Sequence, residues 1–122
     1  TLRPAGPAPY TGQLIVLVNE TTLSQAEYTA MALQATPHCT LLGSTTAGAD
    51  GNVSRIVLPG GLKTAMSGIG IYYPNGRETQ RVGLVIDVPV RPTVAGLRAG
   101  RDELLDRAIE LIKAKPVPKL HG

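Results

Sequence analysis

The stretch "QLIVLVNETTLSQAEYTAMALQATPHCTLLG", Gln13 to Gly43, decides the fold. Gln13 to Asn19 is a continuous β-branched apolar run. Such a run suits a strand buried on both faces, as in a parallel sheet. Ser24 then opens a helix that runs to about Ala35. Its residues Ala26, Ala30, Met31, Ala32, Leu33 and Ala35 are small or apolar on most sides, so the helix is expected to be well buried. Pro37 ends it, because the residue before a proline disfavours helix. Cys39 to Gly43 follows as a short second strand. Strand, helix and strand in this order make a βαβ crossover, expected to be right-handed.

Working outward, Ser44 to Asn52 ("STTAGADGN") is a polar, glycine-rich loop. Beyond it, "VSRIVLP", "LKTAMSGIGIYYP" and "VGLVIDVPV" read as strands, separated by turns at Pro59-Gly60-Gly61 and Pro74-Asn75-Gly76. Arg101 to about Lys113 is an amphipathic helix with Leu104, Leu105, Ala108, Leu111 and Ile112 on its apolar face. Glu103 and Arg107 are spaced as a supportive i,i+4 pair on it. The expected organisation is a Pro/Gly-rich linker at 1–12, one α/β domain at 13–113 and a flexible tail at 114–122. The linker lacks the charged and apolar regions of a targeting segment and reads as entry from mid-protein, so the chain is expected to be a piece of something longer.

The 122 residues give one core of ordinary size, and four tyrosines are the only aromatics, so that core is built from Leu, Ile, Val and Ala. The net charge is +3, but its basic residues are scattered and do not interleave with aromatics, which argues against nucleic acid as a partner. Cys39 is the only cysteine, which excludes an intrachain disulfide and a thiolate metal cluster. His38 and His121 lack a helical i,i+4 or cysteine partner and read as solvated. The glycine-rich segments fit neither phosphate-binding nor dinucleotide-binding spacing. No metal or cofactor is expected.

Ser24 carries two readings. Ser24-Gln25-Ala26-Glu27 matches the S-x-x-E capping box, with the serine hydroxyl on the Glu27 amide and the Glu27 carboxylate on the Ser24 amide. The same serine lies just past the C-terminal end of a buried strand and opens a helix, where α/β sheets present reactive groups. There the Gln25 amide is placed to bind a developing oxyanion. A serine hydroxyl still needs a base to act as a nucleophile.

The order "LIVLVNETTLSQAE", "LLGSTTAGADGN", "GGLKTAMSGIGIYYPNGRE", "GLVIDVPVRPT" and "GRDELLDRAIELI" resembles the C-terminal-processing, or tail-specific, serine peptidases. The resemblance covers about Gln13 to Lys113 and corresponds to the C-terminal half of their catalytic domain. It implies a ClpP/crotonase-like α/β fold: a βαβ start, a strand-rich segment and a C-terminal helix. It places Ser24 on the nucleophile, Glu27 on the glutamate that follows it, and Gln25 on the residue whose backbone amide helps form the oxyanion hole. The family's general-base lysine falls at Ala49, which cannot accept a proton. Asp50 and Lys63 are nearby alternatives, Asp50 reading as a loop carboxylate and Lys63 as a strand residue. Tricorn-type relatives use a histidine from the N-terminal half, paired with a glutamate near the start of the last strand. Gln80 falls at about that glutamate's place, with Glu78 two residues away. The family's Gly-x-x-Pro-Asp appears as Gly83-Leu84-Val85-Ile86-Asp87, with Ile86 for proline.

The resemblance therefore implies part of a serine endopeptidase acting on protein or peptide substrates, of a lysine-less kind, with the base supplied from outside this chain and the isolated chain inactive. It implies a periplasmic or extracytoplasmic location. The alternative is a non-catalytic ligand- or protein-binding domain of the same fold, like the retinoid-binding relatives, in which Ser24 is only a cap. A half-domain exposes apolar surface, so self-association of the chain is expected.

Overall fold

A computed structural model describes residues 10–114; most of the linker, the tail after Ala114 and His121 lie outside the described residues. The elements are β1 (Leu14–Val18), α1 (Gln25–Gln34), β2 (Cys39–Gly43), β3 (Val53–Val57), β4 (Lys63–Ser67), β5 (Val88–Pro89), α2 (Val94–Arg98) and α3 (Glu103–Lys113). β1, β2 and β5 form a parallel sheet with β2 in the middle. The register runs from Leu14 opposite Cys39 to Val18 opposite Gly43.

Side chains alternate across this sheet, as the two-residue period of a strand requires. Leu14, Val16, Val18, Cys39 and Leu41 pack with Ala30, Met31 and Leu33 of α1, joined by Tyr73, Leu84 and Ile86. Ile15 and Leu42 pack on the other face with Leu104, Ala108 and Leu111 of α3. The result is three layers, helix on sheet on helix. Each leucine fully enclosed there contributes roughly 1.5–3 kcal/mol.

The expectation of a doubly buried strand at Gln13 to Asn19 is corrected. All five residues of β2 are buried, whereas only Val18 of β1 is, and Leu17 is 42% exposed. β1 is an edge strand: among the described residues nothing pairs with its outer side. The helix is also less buried than its alanines suggested. Only Glu27 and Ala30 of α1 are buried, because the helix meets the sheet along one side and the rest faces outward.

β3 and β4 form an antiparallel ribbon, closed by a turn that uses Gly60 and Gly61 at positive φ. All ten of its strand residues are exposed. The longer strands expected downstream are shorter here. Gly68 to Tyr73 leaves the ladder and makes one bridge, Tyr72 with Glu78, and of Val82 to Val90 only Val88–Pro89 pairs. The helix α2 was not legible, since five residues carry no readable period. It is capped by Thr93, whose Oγ1 accepts the Gly96 N–H at 2.9 Å. The expected Glu103–Arg107 pair gives way to this cap. The Glu103 carboxylate accepts from the Thr93 N–H and Oγ1, while Arg107 bonds Glu110 at 2.8 Å.

Candidate active site

The chain leaves β1 through an Asx turn. Asn19 Oδ1 accepts the Thr21 N–H at 3.0 Å and the Thr21 hydroxyl at 2.7 Å. It then enters α1 at Ser24, whose φ is 55° and ψ −119°. Positive φ in a non-glycine residue is uncommon, and this ψ lies far from the left-handed helical basin near +47°. Such backbone costs about 1–3 kcal/mol and persists only where surrounding structure enforces it. An ordinary N-cap residue has relaxed β-region backbone. Ser24 does not; it makes a strained entry into α1 with its side chain exposed.

Both arms of the expected capping box are in place, but only the Ser24 N–H arm makes a well-formed hydrogen bond. The Ser24 N–H donates to Glu27 Oε2 at 3.1 Å, and the Ser24 hydroxyl, though close to the Glu27 amide, makes no capping hydrogen bond. Ser24 is exposed. The Gln25 N–H has no acceptor among the described residues, and it lies beside the exposed Ser24 side chain at the positive end of a helix.

Glu27 explains what holds Ser24 in that shape. Its carboxylate is fully buried and accepts four hydrogen bonds. Oε1 takes the Thr46 hydroxyl at 2.6 Å and the Gly48 N–H at 2.8 Å. Oε2 takes the Ala49 N–H at 2.9 Å as well as the Ser24 N–H. One acid thus pins the first turn of α1 to the loop after β2, and all its strong acceptor sites are used. Glu27 is a positioning group and has no lone pair left to act as a base.

Ala49 lies within two hydrogen-bond lengths of the Ser24 backbone, so the position assigned to the lysine adjoins the serine, and a methyl group occupies it. Lys63 is exposed and pairs with Val57 at the turn end of the ribbon, roughly 13 Å along the strand from Ser67 at 3.3 Å per residue. His38 is exposed at the start of β2, the opposite end of the sheet from Ser24. Neither Lys63 nor His38 stands beside Ser24; the carboxylate that shares a cleft with it is Asp50.

Gln80 is committed to structure. Its Nε2 donates to the Asp50 carbonyl at 2.8 Å and the Ile69 carbonyl at 3.1 Å. A carboxylate could not bond two carbonyls, so the amide is the form this corner requires. Glu78 stands at the surface, 3.8 Å from Arg81. Asp87 ties α1 to the sheet, its Oδ2 accepting from the Leu41 N–H at 2.8 Å and Gln34 Nε2 at 3.0 Å.

A cleft of about 260 Å³ opens beside the serine, lined by Ser24, Gln25, Tyr28, Asp50, Gly51, Asn52, Ile69 and Ile71. The sequence did not bring Tyr28, Ile69 and Ile71 together with Ser24. The contact depends on Gly51, at φ 105°, where an added Cβ would collide with the Ile69 carbonyl.

The site is thus a serine at a strained helix entry, its N–H held by a buried glutamate. The chain belongs to peptidase family S41, whose model matches residues 2–90. In structure it is similar to a candidate peptidase from Parabacteroides merdae, with 27% identity and a TM-score of 0.84 over 93% of this chain and 36% of that one. It is similar in fold to CPAF complexed with lactacystin, at 24% identity and a TM-score of 0.77 over 90% of this chain and 22% of that one. It also resembles mature CPAF, at 24% identity and a TM-score of 0.76 over 97% and 24%. The chain therefore spans about a third or less of these solved chains. No curated protein matches the sequence.

Proposed function

We propose that this chain is part of a serine endopeptidase of the C-terminal-processing type, with Ser24 as nucleophile. The observation that carries the reading is the Ser24 backbone: a strained entry to α1, at φ 55°, that leaves the side chain exposed beside the Gln25 N–H. Ser24 Oγ attacks the scissile carbonyl carbon while its proton passes to a base. The carbonyl oxygen, now an oxyanion, is met by the Gln25 N–H. Collapse expels the amine, which takes up the proton, and leaves an acyl-enzyme that water hydrolyses. Oxyanion donors of this kind are worth about 2.7–4 kcal/mol each. The base and a second oxyanion donor come from outside this chain, so the 122-residue chain alone is inactive. An extracytoplasmic location belongs to the same reading and rests on resemblance alone.

A second reading, a non-catalytic binding domain of the same fold, is favoured by Ala49 at the lysine position. Fluorophosphonate labelling of the intact protein separates the two. Labelling that Ser24→Ala removes supports the peptidase. A folded wild type that does not label supports the binding domain.

A further inference from the structure

Asp50 lines the cleft beside Ser24 and is 3% exposed. Its Oδ1 accepts the Gly51 N–H at 2.7 Å. Its Oδ2 is buried and has no hydrogen-bond partner, the one such side-chain atom among the described residues. Native structures satisfy nearly every buried polar atom, and a buried carboxylate oxygen left bare is costly. The acid is also held firmly. Gln80 fixes its backbone carbonyl, and Gly51 beside it tolerates no side chain. This is a buried acceptor lacking its donor.

We propose that the cleft is a specificity pocket for a basic side chain, arginine or lysine, whose head pairs with Asp50 Oδ2. Three features select that ligand. A carboxylate oxygen makes its strongest hydrogen bonds to cationic N–H donors. The other walls include Ile69, Ile71 and Tyr28, apolar surface that suits the methylene stem of such a residue. The volume of about 260 Å³ leaves room for one long side chain. Among the described residues no lysine, arginine or histidine lines the cleft to neutralise Asp50 from within. Because Ser24 and Gln25 form the adjoining wall, the side chain belongs to the residue whose carbonyl Ser24 attacks; this placement rests on the peptidase reading.

The test uses the intact protein and two readouts. The first is binding of benzamidine, an arginine-like cation, by calorimetry to the Ser24→Ala protein, with and without Asp50→Asn. The asparagine keeps an oxygen for the Gly51 N–H and replaces the anionic Oδ2 with an amide. Benzamidine is expected to bind, and Asp50→Asn to weaken it by about tenfold or more. The second is wild-type kcat/KM on two peptides that differ only in arginine or norleucine before the scissile bond. A preference for arginine of about 100-fold is expected, collapsing in Asp50→Asn. The wild-type preference and the binding to Ser24→Ala stand even if Asp50→Asn fails to fold. The proposal falls if benzamidine does not bind the Ser24→Ala protein, or if the wild type cleaves both peptides equally. It also falls if a folded Asp50→Asn protein loses Ser24 labelling and cleaves both peptides equally poorly, which would make the acid a partner of the base. Asp50-dependent benzamidine binding without Ser24 labelling would overturn the peptidase reading and leave the pocket standing.

Discussion

At the residue scale, Ser24 is a conflict between sequence rule and geometry. S-x-x-E reads as a capping box, and a capping serine replaced by alanine costs about 0.5–2 kcal/mol. In the structure both arms of the box are in place, yet the hydroxyl contact falls short of hydrogen-bond geometry and the backbone sits at φ 55°. Ser24→Ala should therefore change stability by less than about 0.5 kcal/mol, since only a poorly formed cap is lost. Ser24→Gly should stabilise by about 1 kcal/mol, because glycine relieves the strain at a smaller entropic cost. Urea unfolding of the two variants checks this; a costly alanine and a neutral or harmful glycine would restore the cap. Glu27→Gln should destabilise by about 2–4 kcal/mol, since the new NH₂ would point at amide donors instead of accepting from them. In the intact protein it should also reduce Ser24 labelling, through loss of the turn that presents the hydroxyl.

At the element scale, α1 and α3 hold the sheet between them, and a polar link reinforces the α1 side. The Tyr73 hydroxyl donates to Gln34 Oε1 and accepts the Val85 N–H, both at 3.1 Å. Burial raises the Tyr73 pKa above its ordinary value of 10.0, with the Val85 hydrogen bond and Arg77 opposing that and Asp87 adding to it. The folded state therefore holds the phenol proton more tightly than the unfolded chain. This contribution is complete below the ordinary tyrosine range and is lost as the pH rises through the folded value. Stability should fall on the alkaline side of pH 10, and Tyr73→Phe should flatten that fall while costing about 1 kcal/mol at neutral pH. Thermal unfolding between neutral and strongly alkaline pH reads both effects. The βαβ unit was legible because its apolar periods are long: Cys39 to Gly43 was placed to the residue. The ribbon β3–β4 was legible from its glycine turn. The segment Val82 to Val90 misled, since apolar residues there fill the core from a loop as well as a strand would; Leu84 is 4% exposed without belonging to one.

At the scale of the whole molecule, the chain carries more apolar surface than its own core covers. Val53, Val57, Leu62 and Met66 on or beside the ribbon are 57% exposed or more, and the outer side of β1 is unpaired among the described residues. Exposed patches of this kind and open strand edges favour association. The isolated 122-residue chain should therefore sediment as dimers or larger species at moderate concentration. Val57→Lys combined with Leu62→Lys, at the turn end of the ribbon, should shift it toward monomer. A clean wild-type monomer would count against the idea.

The sequence by itself determined the types of β1, α1, β2, β3, β4 and α3, the βαβ order, the buried cysteine and the family resemblance, because local periodicity and motif spacing are properties of neighbours along the chain. It also singled out Ser24, Gln25 and Glu27. Only the tertiary structure decided which strand is enclosed, since burial depends on what packs on the far side. Tertiary contacts alone showed that Glu27 accepts from Thr46, Gly48 and Ala49, from 19 to 22 residues away. They also turned Gln80 from a candidate partner of a base into a clamp on two carbonyls, and Asp50 from a loop carboxylate into the unpaired acid of the Ser24 cleft. Those roles depend on hydrogen bonds between segments distant in sequence, and the residue types alone do not encode which partners will meet.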